Sequence, residues 1–183
     1  PASLRNTTYG HFILSSGLHS SKYVQCAQLM SKPIQAIKIC ESLSKKIKSK
    51  INNINLILSP AMGGIVVGYE IGKLLGIETI FSERVNGKFQ LRRDFKIKEN
   101  TNVLIVEDVI TTGKSSIECS NLVKENKANI VGYACIIDRS NGKTEINDKI
   151  ISQIKLNIPT YKKENLPKEL ISIDPVKPGS RNL

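Results

Sequence analysis

The fold is decided by one stretch of the sequence, Val103-Leu104-Ile105-Val106-Glu107-Asp108-Val109-Ile110-Thr111-Thr112-Gly113-Lys114-Ser115. Its first four residues are apolar on both faces of a strand, which is typical of a central parallel strand covered by helices on each side. Around it, the hydrophobic spacing predicts helices over residues 33–51, 64–75 and 113–126 and strands over residues 55–59, 78–85, 102–107 and 128–138. This alternation predicts an α/β fold whose sheet is open and mostly parallel, with helices on both faces.

Length and composition indicate one globular domain over residues 1–183. Hydrophobic residues make up 40% of the chain and charged residues 23%, which excludes the disordered and fibrous classes. No apolar run approaches the roughly 18 residues of a membrane span, and residues 1–10 lack the pattern of a secretion signal. The four cysteines are far apart, which favours buried thiols in a reducing cytoplasm over a zinc site or a disulfide framework.

The net charge of +11 raises the question of nucleic-acid binding. Its source is 21 lysines scattered over the whole chain, which is typical of a solvated surface, whereas only 6 arginines are present. Four of those arginines fall in two predicted loop regions, at Arg84, Arg92, Arg93 and Arg139. Because arginine grips phosphate and carboxylate groups with two parallel hydrogen bonds, these positions indicate anion sites more than the lysines do.

Three unusual segments follow predicted parallel strands: residues 60–64, 108–115 and 139–142. Ligands of such sheets bind beyond the carboxyl ends of the strands, so we expect the three segments to converge on one pocket. The adjacent carboxylates Glu107 and Asp108 suit a vicinal diol or a hydrated cation. The turn after them offers hydroxyl groups, a glycine and a helix N-terminus, which suit a phosphate. Together they predict a site for a ribose 5-phosphate.

Two other phosphate-binding motifs do not fit this stretch. A nucleoside-triphosphate loop would need a glycine where Asp108 stands, and no dinucleotide fingerprint follows any predicted strand. In the plain alternative, the two acidic residues cap the next helix and Thr-Thr-Gly is an ordinary turn.

The stretch resembles the phosphoribosyl pyrophosphate motif of the type I phosphoribosyltransferases: a hydrophobic strand, two acidic residues, two apolar residues and Thr-Thr-Gly. Further segments are similar to the orotate phosphoribosyltransferases within that family, and they extend the resemblance over nearly the whole chain. These segments are Gly10 to Ser20 (GHFILSSGLHS), Ser59 to Gly64 (SPAMGG), the arm from Glu83-Arg84 to Arg92-Arg93, Asp138-Arg139-Ser140, and the ending Lys177 to Arg181.

The resemblance implies the family's fold, with a flexible β-hairpin arm and a small hood formed by the N- and C-terminal segments; the family's first helix is expected to be missing here. It also implies a role for each matching residue. Glu107 and Asp108 would bind the ribose hydroxyls. The rest of the phosphoribosyl pyrophosphate motif, which would enclose the 5-phosphate, is Val109, Ile110, Thr111, Thr112, Gly113, Lys114 and Ser115. The pyrophosphate loop would be Ala61, Met62, Gly63 and Gly64, and the orotate contacts would be Thr111, Arg139, Tyr23 and Val24.

Asn86-Gly87 between two alternating runs predicts the arm as a hairpin with strands over residues 80–85 and 88–93. The resemblance implies that the arm is mobile, reaches across a homodimer interface and carries two cations for the phosphates, Arg84 and Lys88, with Arg92 beside them. With Asp108, these two cations would be the catalytic residues. In a regular two-residue hairpin Arg84 and Lys88 point to opposite faces, so either the tip is irregular or the two cations serve different subunits. The alternative is a charged hairpin that only protects a sheet edge.

The implied reaction transfers ribose 5-phosphate to orotate in the synthesis of UMP and uses Mg²⁺. The metal would be held mainly by phosphoribosyl pyrophosphate, with Glu107 and Asp108 as candidate protein ligands. Two lysines of the enterobacterial pattern are replaced here by Ser15 and Gly63, so more of the pyrophosphate charge would fall on the metal and the arm. The alternatives are a phosphoribosyltransferase for another base, such as uracil, xanthine or hypoxanthine, and a non-catalytic regulator that binds nucleotide or nucleic acid.

Overall fold

The structure is a computed structural model that describes residues 7–14 and 17–178. Two features of the sequence prediction lie outside these residues: Ser15, and the last part of the Lys177 to Arg181 ending. The contacts of the chain divide it into two compact units. The sheet unit runs from Leu29 to Leu156, and the end unit combines the chain up to Gln28 with the chain from Asn157 onward. A single domain over residues 1–183 therefore stays a prediction.

The helices and strands predicted between residues 33 and 138 are present in their predicted order, and further elements that the sequence did not predict lie before and after them. The described elements are β1 (Thr7–Ile13), β2 (His19–Val24), α1 (Cys26–Met30), α2 (Pro33–Lys48), β3 (Leu56–Pro60), α3 (Gly63–Leu75), β4 (Thr79–Val85), β5 (Lys88–Leu91), β6 (Asn102–Ile110), α4 (Lys114–Glu125), β7 (Asn129–Asp138), β8 (Ile150–Lys155) and α5 (Lys168–Ile171), with a 3₁₀ turn at Lys163–Asn165.

The sheet unit contains a six-stranded sheet with the order β5-β4-β3-β6-β7-β8. All neighbouring strands are parallel except β4 and β5, which form the antiparallel hairpin. Val103, Leu104, Ile105 and Val106 of β6 are fully buried at the centre. The prediction of an open, mostly parallel sheet whose central strand is covered on both faces is therefore confirmed.

Helices cover the two faces of the sheet. On one face, Cys119 and Val123 of α4 belong to a buried cluster that also contains Leu58 and Ile105. On the other face, α3 approaches so closely that a Cβ at Gly68 would lie 2.0 Å from Oγ of Ser59. Ser59 and Leu58 are successive strand residues with side chains on opposite faces, so α3 and α4 sandwich the sheet.

The first long helix differs from its prediction in length and in its buried face. It ends at Lys48 and not at residue 51. The spacing predicts a buried stripe of Ile34, Ile37, Cys40, Leu43, Ile47 and Ile51. Cys40, Leu43 and Ile47 are fully buried, as predicted, but Ile34 and Ile37 are 76% and 37% exposed. The buried stripe follows Ala36, Cys40, Leu43 and Ile47, a four-three-four spacing that turns the first two isoleucines away from the sheet.

The central strand is also longer than predicted. It continues through Asp108 to Ile110, because Val109 and Ile110 still pair with Ile137 and Asp138 of β7. Glu107 and Asp108 therefore lie within the strand, just before its last two paired residues, and not in a loop.

The end unit is built on the antiparallel pair β1-β2. Phe12 bridges to Val176 and His19 bridges to Tyr161, so the two ends of the chain pack together. This agrees with a small substructure made of both terminal segments. None of the described helices is long and apolar enough to cross a membrane.

Candidate functional site

The carboxyl ends of β3, β6 and β7 bring the three predicted segments together. The backbone N–H of Arg139 donates to the carbonyl of Ile110 over 2.8 Å. The N–H of Glu145 donates to the carbonyl of Thr112 over 3.2 Å. On the other side, a Cβ at Gly63 would lie 2.6 Å from Oδ2 of Asp108. The expected convergence beyond the strand ends is thus present within the sheet unit.

The two acidic side chains project from opposite faces of β6. Glu107 is 7% exposed and accepts a hydrogen bond from Oγ of Ser116 on α4, at 2.7 Å. Asp108 faces the start of α3, where its carboxylate packs on Gly63. Burial raises the pKa of the Asp108 carboxyl, and the backbone N–H of Val109, 2.9 Å from Oδ1, lowers it again in part. The two carboxylates therefore lie on opposite faces of the strand end, each in a different environment.

The hydroxyl-rich turn leads directly into α4. Thr111 and Thr112 are exposed, and Gly113 has a φ of 82°. A Cβ at Gly113 would lie 2.5 Å from Oγ1 of Thr144, so both the backbone conformation and the close packing require glycine. Gly113, at the N-cap of α4, has no side chain to cap the helix, and the N–H of Lys114 makes a long hydrogen bond of 3.4 Å to Oγ1 of Thr112. A helix N-terminus of this kind leaves N–H groups of its first turn for an anion.

The segment after β3 is held between two strands. The N–H of Ala61 donates to the carbonyl of Ser82 on β4 over 2.8 Å, and the Ala61–Met62 peptide bond is cis. A Cβ at Gly64 would lie 3.1 Å from the carbonyl oxygen of Val106 on β6. The two glycines of this loop thus let its backbone lie directly against the strand that carries the acidic pair.

The turn after β7 is organised by a buried carboxylate. Oδ1 of Asp138 accepts from the N–H of Ser140 at 2.9 Å and from its Oγ at 2.6 Å. Asp138 and Ser140 are both buried. These bonds hold the residues on either side of Arg139, and the backbone N–H of Arg139 itself donates to the carbonyl of Ile110, so the position of the Arg139 backbone is fixed.

The arm is a regular two-residue hairpin. Val85 pairs with Lys88 and Arg84 pairs with Phe89, so Arg84 and Lys88 point to opposite faces, as the register predicts. Arg84 forms an ion pair with Glu118 on α4, whereas Lys88 is exposed. Arg92 and Arg93 both lie within 4 Å of Glu83, at 3.9 and 2.9 Å. The tip is therefore regular, and the alternative of an irregular tip is wrong.

The remaining predicted site residues lie in the end unit. Tyr23 and Val24 are on β2, where Val24 is buried and the hydroxyl of Tyr23 donates to Oε1 of Gln25 over 3.3 Å. Their role as base contacts stays a prediction.

Sequence reasoning missed two polar residues of α4 that touch predicted site residues, Ser116 and Glu118. The available signal was their helical spacing. Both lie within one turn of Lys114 and Ser115, so they continue the helix whose N-terminus faces the turn.

Comparison with known proteins gives a consistent result. The family model described as "Phosphoribosyl transferase domain" matches residues 27–168. The orotate phosphoribosyltransferase of Rhizorhabdus wittichii is 45% identical over 94% of this chain and 88% of its own length. That of Methylorubrum extorquens is 46% identical over 95% of this chain and 89% of its own length.

Solved structures agree in fold. The crystal structure of orotate phosphoribosyltransferase from Aeropyrum pernix superposes with a TM-score of 0.71 at 21% identity, covering 82% of this chain and 88% of that one. Adenine phosphoribosyltransferase from Thermoanaerobacter pseudethanolicus superposes with a TM-score of 0.65 at 18% identity, covering 74% of this chain and 88% of that one. At these identities the similarity establishes the fold alone, and it confirms the predicted one.

Proposed function

This chain belongs to the orotate phosphoribosyltransferases of the phosphoribosyl transferase domain family, and from that premise we propose that it transfers ribose 5-phosphate from phosphoribosyl pyrophosphate to N1 of orotate. The products are orotidine 5-phosphate and pyrophosphate, in the de novo synthesis of UMP. The observation that carries the proposal is the convergence of the acidic pair, the hydroxyl turn and the glycine loop at one sheet edge.

The sugar phosphate is held at its two ends. Glu107 and Asp108 bind the ribose hydroxyls, and Thr111 to Ser115 enclose the 5-phosphate. Supporting this, the turn combines exposed hydroxyls with the N-terminus of α4, whose partial positive charge stabilises an anion.

The leaving group is bound by the loop Ala61, Met62, Gly63 and Gly64 and by arm cations. Because Arg84 and Lys88 point to opposite faces of the hairpin, these two cations serve different subunits. The C1–O bond to pyrophosphate breaks with its electron pair on the diphosphate, and the bond from C1 to N1 of orotate forms. The arm cations stabilise the charge that develops on the diphosphate, and the closed arm excludes water.

Magnesium fits this site only together with substrate. The described residues contain no group of three or more His, Cys, Asp or Glu side chains that could hold a metal ion. The ion would be held mainly by oxygen atoms of phosphoribosyl pyrophosphate, with Glu107 and Asp108 as candidate protein ligands. When bound, the ion neutralises charge on the pyrophosphate.

The base is recognised by a cation. Arg139 contacts the carboxylate or carbonyl groups of orotate, Thr111 contacts the same base, and backbone groups around Tyr23 and Val24 hold its other edge. The fixed turn around Arg139 supports this role, because a base-reading side chain needs a rigid backbone.

We also propose a homodimer in which arm residues contribute to the neighbouring site. An exposed apolar stripe supports it: Met62, just before α3, and Val66 and Tyr69 on α3 are 78%, 52% and 66% exposed. Such a stripe on a helix is typical of an interface. A cytoplasmic location is supported by the cysteines, which are all free and buried.

The test is pyrophosphate release from phosphoribosyl pyrophosphate, with and without Mg²⁺, across orotate, uracil, xanthine and hypoxanthine. Of the four bases, we expect only orotate to give pyrophosphate release, and only when Mg²⁺ is present. Arg139→Met should raise the KM for orotate and leave the KM for phosphoribosyl pyrophosphate nearly unchanged. Release with another base in preference to orotate, or salt-dependent DNA binding without release, would contradict the proposal.

A further inference from the structure

The arm cation Arg84 is occupied by its own chain. Its Nη2 lies 2.6 Å from Oε2 of Glu118, as an ion pair without an aligned hydrogen bond. Nη1 donates to the carbonyl of Gly87 at the hairpin tip, and the guanidinium lies 4.2 Å from the centre of the Phe89 ring. The contact with Glu118 ties this side chain to α4, and the other two hold it within the hairpin.

The same contacts leave the other arm cation outside this arrangement. Lys88 projects from the opposite face of the hairpin and is exposed. The hairpin face that carries Arg84 is anchored to α4 a second time, where Oγ of Ser82 lies 3.3 Å from Sγ of Cys119. The carbonyl of Ser82 in turn accepts from Ala61 in the proposed pyrophosphate loop.

Glu118 lies in the first half of α4, close to the proposed phosphate turn. It lies one turn after Lys114 and Ser115 of the proposed phosphate turn, and its side chain is 23% exposed. A carboxylate here repels an incoming phosphate group, and its pairing with Arg84 cancels the charge that would attract one. Any anion that uses Arg84 must therefore compete with Glu118.

We infer that Glu118 is a positioning residue that holds Arg84 against α4 in the substrate-free chain. When substrate binds, this ion pair breaks and Arg84 binds the diphosphate group instead. This inference rests on the proposed function, because it takes the diphosphate as the anion that replaces the carboxylate. The exchange is favourable in charge, since a diphosphate carries more negative charge than one carboxylate and offers Arg84 several oxygens.

The experiment compares Glu118→Gln with the unchanged chain. Binding of inorganic pyrophosphate with Mg²⁺ is measured by calorimetry, and the KM for phosphoribosyl pyrophosphate is measured with orotate saturating. Because partly exposed ion pairs are weak, we expect pyrophosphate to bind about two- to fivefold tighter and the KM to fall by a similar factor. The kcat should not rise, because Arg84 must also release the product. Thermal melting verifies that both chains are folded.

Two further variants isolate the competition. Glu125→Gln removes the same charge at the far end of α4 and should leave the pyrophosphate affinity unchanged. In an Arg84→Gln background, Glu118→Gln should no longer tighten binding, because there is no cation left to release.

Weaker or unchanged pyrophosphate binding in Glu118→Gln would overturn the inference. Tightening that persists without Arg84 would overturn it too, because it would show a general charge effect. In both cases a wild-type chain that still makes orotidine 5-phosphate leaves the proposed function intact. A wild-type chain that neither binds pyrophosphate nor transfers the sugar overturns the proposed function itself.

Discussion

The backbone of Gly63 packs directly against the carboxylate of Asp108. An ideal Cβ at position 63 would lie 2.6 Å from Oδ2 of Asp108 and 2.8 Å from its Oδ1 and Cγ. Ordinary contacts begin near 3.4 Å, so Gly63→Ala forces the carboxylate to retreat by about 0.8 Å. A hydrogen bond stretched by that amount exceeds the accepted range of donor–acceptor distances.

The expected cost follows from the bond that Asp108 makes with the ribose. A hydrogen bond to a charged group contributes about 1.5–3 kcal/mol, and about 1.4 kcal/mol corresponds to a factor of ten. Gly63→Ala should therefore lower kcat/KM for phosphoribosyl pyrophosphate roughly 10- to 100-fold. The assay is the initial rate at saturating orotate with phosphoribosyl pyrophosphate varied.

Stability should not explain this loss. Gly63 is the first residue of α3 and its φ is not in the left-handed region, so alanine suits its backbone. The matched control is Gly76→Ala, where φ is 71° and nothing lies within 4 Å of the added Cβ. That variant should lose about 1 kcal/mol of stability and keep its KM. An unchanged kcat/KM in Gly63→Ala would refute the reasoning.

Three other outcomes are expected. Lys88→Ala and Asp108→Asn should each lower turnover more than roughly tenfold with the fold intact, while the exposed Lys96→Ala should not; near-normal kinetics in the first two would remove their proposed roles. Burial raises the folded-state pKa of the Asp108 carboxyl, so ionising this group costs stability. From about pH 3 to pH 7 the melting temperature of the wild type should therefore fall relative to that of Asp108→Asn. Melting temperatures that change with pH in parallel in the two chains would contradict this. Burial raises the pKa of the Cys40 thiol to about 11 and that of the Cys119 thiol to about 12, and all four cysteines are free and buried. A thiol reagent at about pH 8 should therefore label no cysteine in the folded chain and all four after denaturation. Rapid labelling of the folded chain would contradict the burial of these thiols.

The hairpin shows how far local sequence rules reach. Asn86-Gly87 predicts a two-residue turn, and both residues have positive φ, at 48° and 80°. The turn fixes the register, and the register fixes that Arg84 and Lys88 face opposite ways. The partner of Arg84 lies on a helix about 30 residues further along the chain, and no local rule identifies Glu118.

Helix α2 shows where periodicity fails. Apolar spacing correctly predicts that Cys40, Leu43 and Ile47 are buried, but it cannot show that Ile34 and Ile37, near the start of the helix, are left exposed. Which of these side chains are covered depends on how the helix rolls against its neighbours, which is a property of the packed structure.

The sequence by itself determined the α/β alternation, the buried central strand, the hairpin and the residue types of the candidate site, because these follow from local spacing and from chemistry that each segment carries on its own. Only the tertiary structure decided that Glu107 and Asp108 face different helices, that Gly63 leaves space for a carboxylate and that Glu118 holds Arg84. Such contacts join residues far apart along the chain, and they exist only once strands and helices have packed at fixed distances.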